Sequence, residues 1–166
     1  MGTDPERDFA YFEQVLAVMH GYGSDLDPAY YSVEDQLHMR DVAELTASAK
    51  LVTATSVLLI CIYFVRLPSG KRLQQLRRIS SVALGITIAS AAAVVLLFEP
   101  LFIMFHKVFF STNTFWQLDP ATSRLIRFLP QDLFAELVLI SVTLSALILC
   151  AMFVFAIILE RWQKKQ

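Results

Sequence analysis

Two histidines, and the carboxylates around one of them, are the side chains of this sequence best suited to moving a proton. His38 has Glu34 four residues before it and Asp41 three residues after it, so on a helix both carboxylates fall on its face. A carboxylate in that place holds an imidazole in one tautomer and stabilises the imidazolium. His106 lies far along the chain, in a stretch from Glu99 to Glu136 that mixes one histidine, one asparagine, four carboxylates, three basic residues, a tryptophan and seven phenylalanines. That mixture suits neither lipid nor open water, and a connection of this length without repetitive polar composition is more often a functional cap than a spacer. The chemistry these residues suggest is general acid–base catalysis by His38 and His106, in either direction. Asp41 or Glu34 would orient His38, and Asn113 or a backbone amide near it would donate to an oxyanion.

The elements that must position them are set by hydropathy. With 56% hydrophobic residues and a mean hydropathy of +0.55, the chain reads as a single all-α integral membrane domain, 1–166. Its net charge of −1 hides an asymmetry: ten acidic against three basic side chains from Met1 to Lys50, then five basic and no acidic ones from Arg66 to Arg78. No basic groove-like face exists outside that short segment, which argues against nucleic acid as a partner. The two cysteines, Cys61 and Cys150, fall inside apolar runs and read as small buried hydrophobes. Neither a disulfide framework nor a zinc-ligand spacing is present.

Taken in order, residues 1–46 form the first part of a cap. Phe9, Phe12, Val15, Leu16 and Met19 recur at the spacing of an amphipathic helix. Gly21 and Gly23 end it, with His20 at its C-terminus. With an acidic start and no uninterrupted apolar run, no secretory signal is visible in this stretch. Ser32 and Asp35 resemble a capping box that opens a second helix. Nothing breaks that helix before Val65, and its nineteen residues 47–65, at about 1.5 Å each, cover roughly 30 Å of bilayer. Lys50 snorkels to the outer surface.

A basic loop, 66–78, is cytoplasmic by the positive-inside rule. A second span, 79–98, carries Gly85, Ala89 and Ala93 at the four-residue spacing that lets membrane helices approach closely. Glu99-Pro100 marks its outer end. The second part of the cap, 99–132, leads to a third span, 133–159, and a basic tail, 160–166. His38 and His106 are thus expected at the same outer membrane surface, which favours a pair over two unrelated structural histidines. Three spans with the C-terminus inside put Met1 outside. Either an upstream first span has been lost, or the acidic N-terminal tail is itself translocated.

Two motifs carry a resemblance. His38-Met39-Arg40-Asp41-Val42 with Leu45 resembles the His-Met-x-Asp-Val segment of the bacterial lipoprotein intramolecular transacylase family. Phe105-His106-Lys107-Val108-Phe109-Phe110, followed by Asn113, Trp116, Asp119-Pro120, Leu125-Ile126 and Phe128-Leu129-Pro130, resembles that family's second signature in the same order. The resemblance covers about residues 9–160. It implies four membrane helices under an extracellular cap, with the N-terminal one missing here. It also implies a place in the bacterial cytoplasmic membrane, with the active site at the outer surface. The expected reaction moves the sn-2 acyl chain of a diacylglyceryl-modified lipoprotein to the amine of its N-terminal cysteine, giving the lyso form. The partners are that lipoprotein and membrane lipids.

Ester aminolysis needs no nucleotide, metal or redox cofactor. An α-amine of pKa about 8 beside an imidazole of about 6.5 is reasonably matched for proton transfer. Because ester and amine share one molecule, orientation alone can contribute roughly 7–11 kcal/mol. Phe105, Phe109, Phe110, Phe115 and Trp116 would wall the site and guide acyl chains, although interfacial anchoring explains aromatics of this kind equally well. Two other readings stay open. A metal-dependent membrane hydrolase would use the same residue types, but His-x-x-x-His and His-Glu-x-x-His are absent. A non-catalytic scaffold would use the cap as a protein-binding surface and would tolerate loss of either histidine.

Overall fold

The computed structural model describes residues 5–23 and 25–165. Regular structure among them is helical: α1 (Pro5–His20), α2 (Val33–Arg66), α3 (Ser69–Phe109), α4 (Leu125–Phe128) and α5 (Gln131–Gln163). Two compact units result, one made of Met1–Ser56 with Phe102–Gln131 and the other of Val57–Leu101 with Asp132–Gln166. Helices α2 and α3 each contribute substantially to both, and α5 gives only its first residue, Gln131, to the first. The expected outward placement of Met1 concerns a residue outside those described.

In the first unit, α1 stops where the sequence supplies a residue free to turn left-handed. Gly21 has φ +77°, its N–H donates to the Val18 carbonyl, and Tyr22 N–H donates to the Ala17 carbonyl. Those paired bonds satisfy carbonyls that the helix end would otherwise leave open. Ser32 and Asp35 form the reciprocal cap expected of them: Asp35 N–H donates to Ser32 Oγ at 3.0 Å, and Ser32 N–H to Asp35 Oδ2 at 3.3 Å. The core of the unit gathers Val15, Val18, Leu26, Tyr31, Met39 and Leu125. Tyr31 is anchored by its hydroxyl, which donates to the Tyr11 carbonyl at 2.7 Å. The buried face of α1 therefore runs through Tyr11, Val15 and Val18. Phe9, expected on that face, is exposed, and Phe12 packs at its edge against Phe128.

The second unit holds most of the apolar surface. Helices α2, α3 and α5 are long and apolar enough to cross a membrane, with mean hydropathies of 1.9, 2.3 and 2.8 over their most apolar stretches, where almost no residue is buried within the protein. Exposed apolar surface on this scale needs lipid as its solvent, and the protein is a multi-pass membrane protein. At 34 residues and about 1.5 Å per residue, α2 is about 51 Å long, well beyond a bilayer core of ~30 Å. Its polar N-terminal portion, which carries His38, thus has no need to enter lipid.

Several expectations change here. The basic stretch is helical from Ser69 onward, and the break in the chain is confined to Leu67 and Pro68. Arg72 satisfies the end of α2 by donating to the Val65 and Leu67 carbonyls. Close to the expected outer end of the second span, α3 divides into two helical segments: Leu97 departs to φ −135°, ψ 27°, three residues before Pro100, and helix resumes beyond it to Phe109. A proline removes one hydrogen bond and crowds the preceding turn, which bends a helix without obliging it to stop. His106 is consequently held on the last turn of the segment that follows the break. Cys61 and Cys150 are exposed, as apolar surface facing lipid, not buried. Gly85 has nothing within 4 Å of where a Cβ would stand and Ala89 is exposed, whereas Ala93 is half-buried, so among the described residues the first two positions of this stripe close no helix contact.

Candidate active site

His38 and His106 come together in the first unit. Their ring centroids lie 5.8 Å apart, and the two residues are only 7% and 8% exposed. α2 carries His38 on its inward face beside Met39, which is fully packed. α3 carries His106 on a face shared with Phe102 and Phe110. The surroundings are aromatic: Phe110 stands edge-on to His38 at 5.1 Å and 5.5 Å from His106, Phe102 is at 4.3 Å, and Trp116 is at 5.3 Å from His106.

Hydrogen bonding distinguishes the two imidazoles. His106 Nδ1 lies 2.8 Å from the Phe102 carbonyl oxygen. A carbonyl can only accept, so Nδ1 carries a proton and, in the neutral ring, Nε2 keeps the lone pair. His38 Nδ1 is buried without a hydrogen-bond partner. Burial pushes the His38 pKa down from 6.5 to about 4; the neighbouring His106 pushes the same way, and Asp41 and Asp35 oppose. His38 is therefore neutral at physiological pH.

The remaining expected residues divide. Asp41 lies near His38 but spends Oδ2 on Asn113, whose Nδ2 donates at 2.8 Å. Asn113 Oδ1 in turn accepts from Phe115 N–H at 3.0 Å, which dictates how the amide is oriented, since a backbone N–H can only donate. One Nδ2 proton of Asn113 is left for another acceptor. Glu34 is exposed, and the carboxylates whose charge acts on His38 are Asp41 and Asp35. Phe110 and Trp116 border both or one of the imidazoles. Phe105 touches His106 edge-on at 5.5 Å while remaining 42% exposed, and Phe109 lies tilted against Phe105 with 54% of its surface exposed. Phe115 contributes its backbone rather than its ring.

Sequence reasoning missed Ser123 and saw Asp35 only as a cap. Asp35 is fully buried and Ser123 nearly so. Ser123 Oγ–H donates to Asp35 Oδ1, and Arg124 N–H donates to Asp35 Oδ2 at 3.1 Å. No local pattern announces this, because the partners are 88 positions apart and the capping role already accounts for the aspartate. Among the described residues, no three His, Cys, Asp or Glu side chains converge as a metal-ligating group.

Two comparisons bear on this arrangement. The family model for the lipoprotein intramolecular transacylase Lit matches residues 9–134, a range that includes both histidines. The in meso structure of the membrane integral lipoprotein intramolecular transacylase Lit from Bacillus cereus is similar, with a TM-score of 0.73 and 19% identity over 95% of this chain and 79% of that chain. At that identity the likeness speaks for the fold. No curated protein sequence matches.

Proposed function

Since the chain belongs to the lipoprotein intramolecular transacylase family Lit, we propose that it moves the sn-2 acyl chain of a diacylglyceryl-modified lipoprotein onto the amine of that lipoprotein's N-terminal cysteine. The product is the lyso form. The reading places the protein in a bacterial cytoplasmic membrane, with 1–46 and 99–132 as its extracellular cap. The observation that carries it is the meeting of two buried imidazoles, distant in sequence, among aromatic rings.

In the proposed reaction the amine nitrogen attacks the ester carbonyl carbon. A C–N bond forms, the C–O bond to the glyceryl carbon's oxygen breaks, and one proton travels from nitrogen to that oxygen. His106 suits the role of base, because the Phe102 carbonyl fixes its proton on Nδ1 and leaves Nε2 to accept. The same imidazolium can return the proton to the departing glyceryl oxygen. His38, held neutral, offers a second acceptor that orients the amine, and its unpartnered Nδ1 is relieved by any N–H the substrate brings. Asp41 and Asn113 support the site from beside α2, and the spare Asn113 proton is available to an oxyanion. Phe105, Phe109, Phe110 and Trp116 exclude water and lie against acyl chains.

The test is to incubate the purified protein with a synthetic diacylated lipopeptide and to follow acyl position by mass spectrometry. Migration from ester to amide at unchanged total mass supports the proposal. Release of a fatty acid with addition of water identifies a hydrolase instead. A scaffold gives neither.

A further inference from the structure

We infer that Asp35 and Ser123 are a positioning pair for this site: their bond closes a second tie between α2 and the connection from α3 to α4, and so keeps Trp116 against His106. The inference rests on the transacylase reading for its activity arm, and on geometry alone for the rest.

A helix cap does not require what Asp35 is given. Capping is complete with the reciprocal bonds to Ser32, and a cap aspartate ordinarily sits at the surface in water. Here the carboxylate is fully buried and takes two further donors, the Ser123 hydroxyl and the Arg124 N–H. Burying a carboxylate is costly without such partners. The fold has placed it where it can hold the connection down. Ser123 Oγ also receives the Ile126 N–H at 3.4 Å, which carries the tie into the first turn of α4.

Position along α2 gives the pair its meaning. Asp35 precedes His38 by three residues and Asp41 follows it by three. Asp41 is tied to Asn113 and Asp35 to Ser123. The connection is thereby pinned at both ends, on either side of His38. Between the pins lies Trp116, whose ring meets His106 at 5.3 Å. A connection held at one end only would sample many conformations and admit water to both imidazoles. The charged or titratable groups facing His38 are Asp35 and Asp41 from α2 and His106 from α3.

The experiment uses the full chain in detergent. Ser123→Ala deletes the hydroxyl and leaves the Ser32–Asp35 cap intact, so a capping role alone predicts no change. Positioning predicts a fall in kcat on the order of 10- to 100-fold with KM little altered, as for a slight misplacement of reacting groups. Ser123→Thr, which keeps the hydroxyl, restores most of it. Two readouts do not depend on turnover. The NMR titration of His38, recorded with His20→Gln to remove the exposed third imidazole, moves up toward the ordinary histidine range in Ser123→Ala as water enters. Trp116 emission shifts to the red in a Trp162→Phe background.

If Ser123→Ala does not accumulate, Ser123→Cys, a weak donor, takes its place. Unchanged titration and emission in a folded Ser123→Ala protein overturn the inference, as does a Ser123→Thr protein as impaired as the alanine variant. Absence of acyl migration in the unaltered protein counts against the proposed function instead, and leaves titration and emission to judge the pair.

Discussion

In the first unit, polar side chains find partners far away in sequence: Ser123 reaches Asp35 across 88 positions and Asn113 reaches Asp41 across 72. In the second, the hydroxyls of Ser141, Thr143 and Ser145 turn back to the carbonyl four residues earlier on their own helix, each at 2.8 Å. The contrast follows from the surroundings of each group: Thr53 and Thr55, on the apolar stretch of α2 that the first unit includes, also turn back to the carbonyl four residues earlier, and the long-range bonds lie in that unit's polar part. Within lipid a polar group must be satisfied locally, and its own helix is the nearest acceptor. Outside lipid, directional bonds between distant segments can define one arrangement against water's competition, and a reaction site needs that definition. Single polar substitutions should therefore damage function in the first unit and be nearly silent in the second.

The largest expected difference comes from the imidazoles. His106→Ala or His38→Ala should lower acyl migration by roughly 10²- to 10⁴-fold, the usual contribution of a positioned acid or base. Circular dichroism and elution volume should stay those of the parent. Replacing Cys61 or Cys150 by Ser, on the lipid-facing surface of the second unit, should leave the rate within about twofold, as for surface positions away from any site. A histidine variant that keeps full activity would erase the contrast.

Acid should separate the two units next. His38 has a pKa of about 4 when folded against 6.5 otherwise, so the unfolded chain binds that proton more readily. The stability contributed by its neutral burial is complete above pH 6.5 and is lost as the pH falls toward 4, by up to about 3 kcal/mol. Thermal unfolding followed through Trp116, in a Trp162→Phe background, should show that loss, and His38→Phe should flatten it. An identical pH dependence in the two proteins would mean that His38 is not the desolvated group.

How much of this was readable beforehand follows the same division. The three apolar helices, the Gly21 stop of α1 and the Ser32–Asp35 cap are each decided within a few residues, and the sequence displays them. Glu99-Pro100 marks the end of a span, and helical geometry does break there, at Leu97; that a second helical segment resumes and carries His106 is not something a proline announces. Phe9 was placed on the buried face of α1 when Tyr11 and Val18 belong there; periodicity reveals a face without saying which rings the neighbours will cover. His38 and His106 were paired by depth and motif. The bond between Asp41 and Asn113 and the tie from Ser123 to Asp35 depend on how a long connection folds back, and no local pattern encodes that. Glu34, one turn from His38, was a candidate on spacing alone, and the helix turns it to solvent.

A smaller effect is expected when the Asp41 tie is cut. Asn113→Ala leaves a half-buried carboxylate without its 2.8 Å donor, which costs about 1–3 kcal/mol by the usual penalty for an orphaned polar group. Activity should drop as well, since the same substitution releases Phe115 N–H. Asn113→Asp should be no better, because it sets a second carboxylate against Asp41. Denaturation midpoints and lipopeptide turnover measured on the same preparations would show whether stability and rate fall together.

The smallest effect belongs to the second unit's own ion pair. Arg77 Nε approaches both Glu160 oxygens, at 3.3 and 3.2 Å, and joins the start of α3 to the end of α5. Its geometry is good, but the side chains remain 41% and 25% exposed, and water screens such a pair to about 0.2–1 kcal/mol. Arg77→Ala and Glu160→Ala should each lower the thermal midpoint slightly, and the double variant should lose less than the sum of the two, which is the signature of a direct interaction. Acyl migration should be unchanged in all three. If instead Arg77→Ala cost as much activity as Asn113→Ala, polar ties in the lipid-facing unit would matter to the reaction as much as those around the histidines, and the division drawn here between the units would not hold.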